Sequence, residues 1–212
     1  MLETSQIPDF STNKKVSSMT DKLDFELILQ TDGIVLRPLI ADDYKLLGKL
    51  TRDKSMWIYF TRDLSNESEL KEWIGNAINE TGNKTRLAFA IIDKSTNTPI
   101  GSTSIGNISY YDKRAEIGWT WISRDHQGKG VNKQIKYLML KYLIETLDFE
   151  RVEFKTDILN MPARKALLRI GAKEEGVLRS HTLMTNNRRR DTVYYSILQS
   201  EWVDVKIKNN WK

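Results

Sequence analysis

A pair of glycines set between a strand-like run and a long amphipathic segment constrains this chain more than any other feature. Gln127-Gly128-Lys129-Gly130-Val131-Asn132 follows Arg114 to Ile122, where Ala115, Ile117, Trp119 and Trp121 alternate with Glu116, Gly118 and Thr120. That period of two is the pattern of a half-buried strand. Beyond the glycines, Val131, Ile135, Leu138, Met139 and Tyr142 recur at helical spacing. Glycines at such a junction let the backbone approach a ligand, and the unpaired N–H groups and dipole of a helix start favour an anion. A pyrophosphate fits this description; a turn that needs glycine for geometry alone is the alternative. No Lys-Ser/Thr pair follows the second glycine and no third glycine completes a dinucleotide fingerprint, so neither common phosphate-binding motif is present.

A second block narrows the reading. Arg151 to Thr156 reads as a strand, and Asp157 to Ala172 opens with a turn and becomes a short helix, with Pro162 suited to its first position and Gly171 to the residue beyond its end. In order and spacing the two blocks resemble the GCN5-related N-acetyltransferases (GNAT), whose acyl-CoA loop runs Gln/Arg-x-x-Gly-x-Gly/Ala and whose second motif runs Asn-x-x-Ala/Ser, helix, Gly-Phe/Ala. Gln127, Gly130 and Asn132 fall on the three defined positions of the first, with Asn132 in place of the usual small residue, and Asn160 opens the second. Glu175 to Arg179, Arg190 to Ile197 and Glu201-Trp202 are similar to the ribosomal-protein N-terminal acetyltransferase (RimJ/RimL-like) branch. The resemblance spans roughly Ile34 to Trp202.

The resemblance implies an α/β (α+β) domain of the GNAT fold: a mixed, mostly antiparallel central sheet flanked by helices, with two adjacent parallel strands splayed at the acyl-CoA site. The opening is expected between the strand holding Glu116 to Trp121 and that holding Phe154 to Asp157. Acetyl-CoA is the implied acyl donor. Its pyrophosphate is expected at Gln127, Gly128, Lys129, Gly130, Val131 and Asn132, its pantetheine amides at the backbone of Ile122 and Ser123, and further contacts at Asn160, Arg164 and Lys165. Arg124, Lys129 and Lys133 flank the loop, and each cation also has a solvated-surface reading. The implied reaction is direct attack of a primary amine on the thioester. Such an amine is protonated at neutral pH and needs a base, for which Glu116 is the candidate against an exposed or arginine-paired strand glutamate. Relatives carry a tyrosine or serine that protonates the leaving thiolate, whereas the matching positions here are Leu167 and Ala163; water, Tyr194 or Tyr195 remain as donors.

Composition sets the remaining limits. The 212 residues, 40% hydrophobic and 29% charged, suit one domain, read as 25–205 between a flexible extension at 1–24 and a C-terminal tail at 206–212. Cysteine is absent, which removes disulfides and thiolate metal sites. No apolar run of about 18 residues and no signal-like N-terminus is visible, so a cytoplasmic location without membrane contact is expected. The net charge of +5 suits coenzyme A as well as nucleic acid. Arg188-Arg189-Arg190 reads as a solvated hairpin turn without base-stacking aromatics, so nucleic acid is not expected. Helices are read at 42–50, 66–80, 131–147 and 162–170, with Asn66 and Glu69 as a capping pair. Strands are read at 34–39, 87–93, 99–108, 114–122, 151–157, 173–183 and 191–199. Met56 to Phe60 reads as core or as an aromatic wall for an extended acceptor. Three functions stay open: an acetyltransferase acting on a peptide or protein N-terminus or on a small amine (polyamine, amino acid or antibiotic), a non-catalytic acyl-CoA-binding module, and a basic nucleic-acid-binding domain. The chain is read as a monomer or homodimer.

Overall fold

The computed structural model describes residues 23–185 and 187–212. Eight strands form one sheet: β1 (Leu29–Gln30), β2 (Ile34–Pro38), β3 (Leu87–Asp93), β4 (Thr98–Ser109), β5 (Arg114–Ile122), β6 (Arg151–Asp157), β7 (Lys173–Leu183) and β8 (Arg189–Leu198). Their order is β1-β2-β3-β4-β5-β6-β8-β7, antiparallel except for the β5–β6 pair. The helices are α1 (Tyr44–Leu50), α2 (Glu67–Gly82), α3 (Val131–Lys141), α4 (Met161–Ile170) and α5 (Trp202–Asn209).

At β3 the sheet is buried on both faces. On β3, Leu87, Phe89 and Ile91 join the core under α3, α4 and α5, while Ala88, Ala90 and Ile92 join the core under α1 and α2. This two-sided burial explains why the segment is an unbroken apolar run rather than an alternating one. Phe89 has no exposed surface, and its truncation to alanine should cost about 3–5 kcal/mol.

Several sequence expectations need correction. The extension read at 1–24 lies outside the described residues up to residue 22, but Leu23 is buried in the core and the Asp24 N–H donates to the Tyr142 hydroxyl. Residues 206–209 are not a tail: they complete α5, and Trp211 packs on Tyr137 and Trp202. The helix read at 131–147 leaves α geometry at Tyr142 and closes as a π turn over Tyr142–Thr146. Asn66 caps α2 by accepting from the Ser68 N–H, whereas Glu69 accepts from Arg62, so no reciprocal box forms.

The alternation read across β5 breaks at Trp119, whose φ of 51° marks a β-bulge where Ser102 and Ser104 of β4 face Trp121 and Gly118. One extra residue reverses every later side chain. Ala115, Ile117 and Ile122 therefore share the core under α3, whereas Trp119 and Trp121 pack with α1 and α2. Thr120 parts company with Glu116 and Gly118 and points toward α3, where it meets Thr103 and Lys136.

Candidate active site

The two parallel strands are paired only from Arg114–Arg151 to Glu116–Glu153. β5 continues to Ile122 and β6 to Asp157 without further pairing to each other, so the sheet opens into a gap beyond Glu116. α3 begins at the same end of β5. Gly128 and Gly130 have φ of 74° and 82°, conformations that favour glycine, and no protein atom lies within 4 Å of a side chain built on either. Gly130 is the N-terminal cap of α3 and no side chain bonds its first turn. The loop therefore offers open space in front of a helix start, a setting suited to a phosphate.

The loop is held by its own side chains. Gln127 Nε2 donates to the Ile122 carbonyl at 2.8 Å, and the Ser123 N–H donates to the Ile100 carbonyl at 2.8 Å. These bonds fix the turn, but they also engage two of the backbone groups expected to meet pantetheine. Ser123 Oγ lies 2.8 Å from His126 Nδ1, and His126 Nε2 lies 3.2 Å from Asp93 Oδ2. Val131 is buried, and Lys129 is exposed at the loop. Asn132 has its Oδ1 buried without a hydrogen-bond partner. Arg124 pairs with Asp53 at 2.9 Å, and Lys133 donates to the Asn209 carbonyl at 3.0 Å; neither is a free flanking cation.

The second motif has a larger structural role than the sequence suggested. Asn160, not Met161, caps α4: its Oδ1 accepts from the Ala163 N–H at 3.2 Å. Arg164 donates to the Tyr195 hydroxyl at 3.0 Å, to the Ile158 carbonyl at 3.1 Å and to Glu174 at 3.1 Å, a network that ties α4 to β7 and β8. Lys165 is exposed. Arg188 pairs with the fully buried Asp157, and Arg190, lowered in pKa by burial, donates to Thr192 at 2.9 Å. Arg188 and Arg190 are thus bound at the base of the β7–β8 turn, while Arg189 is exposed and donates to Ser180.

Glu116 is 6% exposed. Its Oε2 accepts from Asn107 Nδ2 at 2.5 Å and pairs with Lys155 Nζ at 2.7 Å. Its Oε1 lies where a Gly118 side chain would go, 2.9 Å from an ideal Cβ. Burial lowers the Lys155 ammonium, but the hydrogen bond and charge of Glu116 prevail and leave its pKa above the ordinary value. Asn107 and Lys155 also line an open cavity of about 710 Å³, together with Lys84, Arg114, Glu153 and Tyr194. Glu116 is therefore neither exposed nor arginine-paired but sits directly behind that cavity.

Sequence reasoning missed Lys155, Asn107 and Lys136. Lys155 shares the polar face of β6 with Glu153, alternating with the buried Val152, Phe154 and Thr156, and Lys136 shares helical spacing with the buried Met139, Leu140 and Leu143. A lysine inside an apolar stripe was the available signal. Met56 to Phe60 resolves mainly as core: Trp57 is 2% exposed and stacks edge-on with Phe60 and Trp121 at 5.4 and 5.5 Å.

A parallel pair parted beside a glycine loop, with a helix start at its mouth, defines a class. The family model described as acetyltransferase (GNAT) domain matches residues 34–173, and the chain belongs to this family of N-acetyltransferases. The chain is 27% identical over 189 residues to the Bacillus subtilis (strain 168) protein named "Putative ribosomal N-acetyltransferase YdaF", covering 87% of this chain and 95% of that one. A GCN5-related N-acetyltransferase from Brucella melitensis shares the fold with a TM-score of 0.80 at 23% identity, covering 90% of this chain and 86% of that one. A ribosomal-protein-S5-alanine acetyltransferase from Vibrio fischeri does so with a TM-score of 0.69 at 15% identity, covering 83% and 98%. GNAT enzymes generally use acetyl-CoA. Among the described residues, no helix is long and apolar enough to cross a membrane.

Proposed function

We propose that this enzyme transfers an acetyl group from acetyl-CoA to the N-terminal amine of a peptide or protein, without a covalent enzyme intermediate. The pyrophosphate lies against the backbone of Gly128 to Asn132, and the pantetheine arm runs into the gap between β5 and β6. The amine enters from the 710 Å³ cavity. Glu116, behind Asn107 and Lys155, takes up its proton directly or through water. The loss of β5–β6 pairing immediately after Glu116 carries this reading, because it places the opening and the carboxylate at one level of the sheet.

Two observations favour an N-terminus over a polyamine or aminoglycoside. The cavity presents no unpaired carboxylate of the kind that would hold a multiply charged cation: Glu153 pairs with Arg151 and Arg114, and Glu116 behind it pairs with Lys155. The Bacillus subtilis relative also carries a ribosomal acetyltransferase name. The test is competitive turnover of peptides beginning with Ala, Ser or Met against spermidine, aminoglycosides and free amino acids at equal concentration. A higher kcat/KM for any of the small amines would overturn the acceptor assignment. The absence of proton donors at Ala163 and Leu167, the latter 8% exposed in the core, favours a second reading as an acyl-CoA-binding module. Transfer above the uncatalysed rate would dismiss it.

A further inference from the structure

The middle of α3 carries a charge that the proposed chemistry has not used. Lys136 is 5% exposed. Its Nζ donates to Thr120 Oγ1 at 3.2 Å and stands 5.3 Å from the centroid of the Phe154 ring. Thr120 belongs to β5 and Phe154 to β6, and both lie beyond the last paired residues of the two strands. The ammonium therefore stands over the gap on its α3 side. An ammonium without a contacting carboxylate is costly to bury, and methionine would fill the same space without that penalty. Glu116 on β5 is the charged group whose field reaches it and favours the ammonium; the same carboxylate also acts on Lys155 of β6 and Arg190 of β8.

We infer that Lys136 is the acid that protonates the departing thiolate of coenzyme A. The inference rests on the reading that acetyl-CoA lies in this gap. An arm anchored before α3 must pass between Thr120 and Phe154 to bring its thioester within reach of an amine deprotonated at Glu116. Its sulfur then lies at the level of Nζ. The amine nitrogen bonds to the carbonyl carbon, the C–S bond breaks with its electron pair going to sulfur, and one Nζ proton passes to that sulfur. The ammonium form of the acceptor loses two protons in becoming an amide. One restores Lys136 and the other leaves to solvent, so the products are the amide, the free thiol and one proton.

Of the other side chains considered as donors, Tyr194 lines the cavity under the Lys155 ammonium, 5.2 Å from its ring centroid, and the rest are occupied or absent. The Tyr195 hydroxyl donates to Glu174 at 2.7 Å and accepts from Arg164, and Leu167 and Ala163 carry no proton to give. Burial, opposed by the charge of Glu116, brings Lys136 down to about 7. That lies close enough to the ~8.5 of a free thiol for transfer to be feasible in either direction. The donor form is present below that pH and is lost as pH rises through it.

The test compares wild type, Lys136→Met, Lys136→Arg and Thr120→Val from pH 6 to 9. Acetyl-CoA and the fastest N-terminal peptide serve as substrates, and acetyl-CoA binding is followed by calorimetry. Lys136→Met should bind acetyl-CoA within about threefold of wild type, lose roughly 10²-fold in kcat and lose the high-pH fall in rate. Lys136→Arg keeps the charge but cannot give up its proton in this range, so it should stay slow. Thr120→Val removes the hydrogen-bond acceptor and should move the fall in rate to lower pH, a readout that does not depend on any Lys136 variant folding. A kcat within about threefold of wild type in Lys136→Met, or full activity in Lys136→Arg, would refute the proton-donor role. An unmoved pH profile in Thr120→Val would do the same. Failure of the wild type to bind acetyl-CoA would instead remove the functional reading beneath it.

Discussion

Replacing Lys136 with methionine should also leave a thermodynamic mark that does not depend on catalysis. In the unfolded chain this lysine titrates near its ordinary 10.5, whereas burial brings it to about 7 in the fold. That difference corresponds to about 5 kcal/mol at most. The sign follows from proton binding: between the two values the unfolded chain holds the proton and the folded chain does not, so stability rises with pH. The cost of Lys136 is thus largest below pH 7 and shrinks by ~1.4 kcal/mol for each pH unit above it. Lys136→Met loses a hydrogen bond to Thr120 and changes packing, but those effects are constant with pH. The stability advantage of the variant should therefore fall by about 2–3 kcal/mol between pH 6 and pH 9. Urea unfolding of both proteins, followed by circular dichroism across that range without ligand, measures the difference directly. A pH-independent difference would mean that Lys136 keeps its proton in the fold and that the argument from burial is wrong.

Other substitutions probe the rest of the site. Gly130→Val puts a β-branched side chain at a φ of 82° in front of the α3 start; acetyl-CoA affinity should drop more than tenfold in a folded protein, measured by calorimetric titration. Glu116→Gln should lower the transfer rate by roughly 10²-fold or more with little change in acetyl-CoA binding, and near-normal rates from pH 6 to 9 would place the base elsewhere. Gly118→Ala brings a Cβ to 2.9 Å from Glu116 Oε1, so it should displace the carboxylate and lower kcat without altering the loop before α3. Asn160→Ala removes the α4 cap and should cost about 1 kcal/mol in chemical denaturation.

Element types were legible wherever a segment follows one period or ends on a marked residue. Gly171, at a φ of 102°, ends α4 as its position foretold. The bulge at Trp119 was not legible, because a single residue in left-handed geometry changes the face of a strand without changing its composition. The motif residues were easier to locate than to interpret. Gln127, Asn160 and Arg164 all occupy functional-looking positions, yet each bonds neighbouring protein atoms and holds the frame around the gap. Which side chains meet inside that gap depends on long-range placement: Lys155 reaches Glu116 from another strand, and Lys136 arrives from a helix.

Strand pairing joins the five-strand leaf β1–β5 to the three-strand leaf β6–β8–β7 along their common seam at three residue pairs, with the Glu116–Lys155 ion pair beside the last of them. Hydrogen bonding holds that seam shut at one end only, and the helices packed above and below hold the remainder. The domain is therefore mechanically unfinished on its own, like a book bound along part of its spine. A slender polar chain laid into the opening can act as the missing strand and bond to both leaves, so that what occupies the site also completes the architecture. Local opening should begin at the free end of the seam, and amide hydrogens of Ile117 to Trp121 should exchange faster in the empty protein than those of β3, with the difference shrinking when the opening is filled.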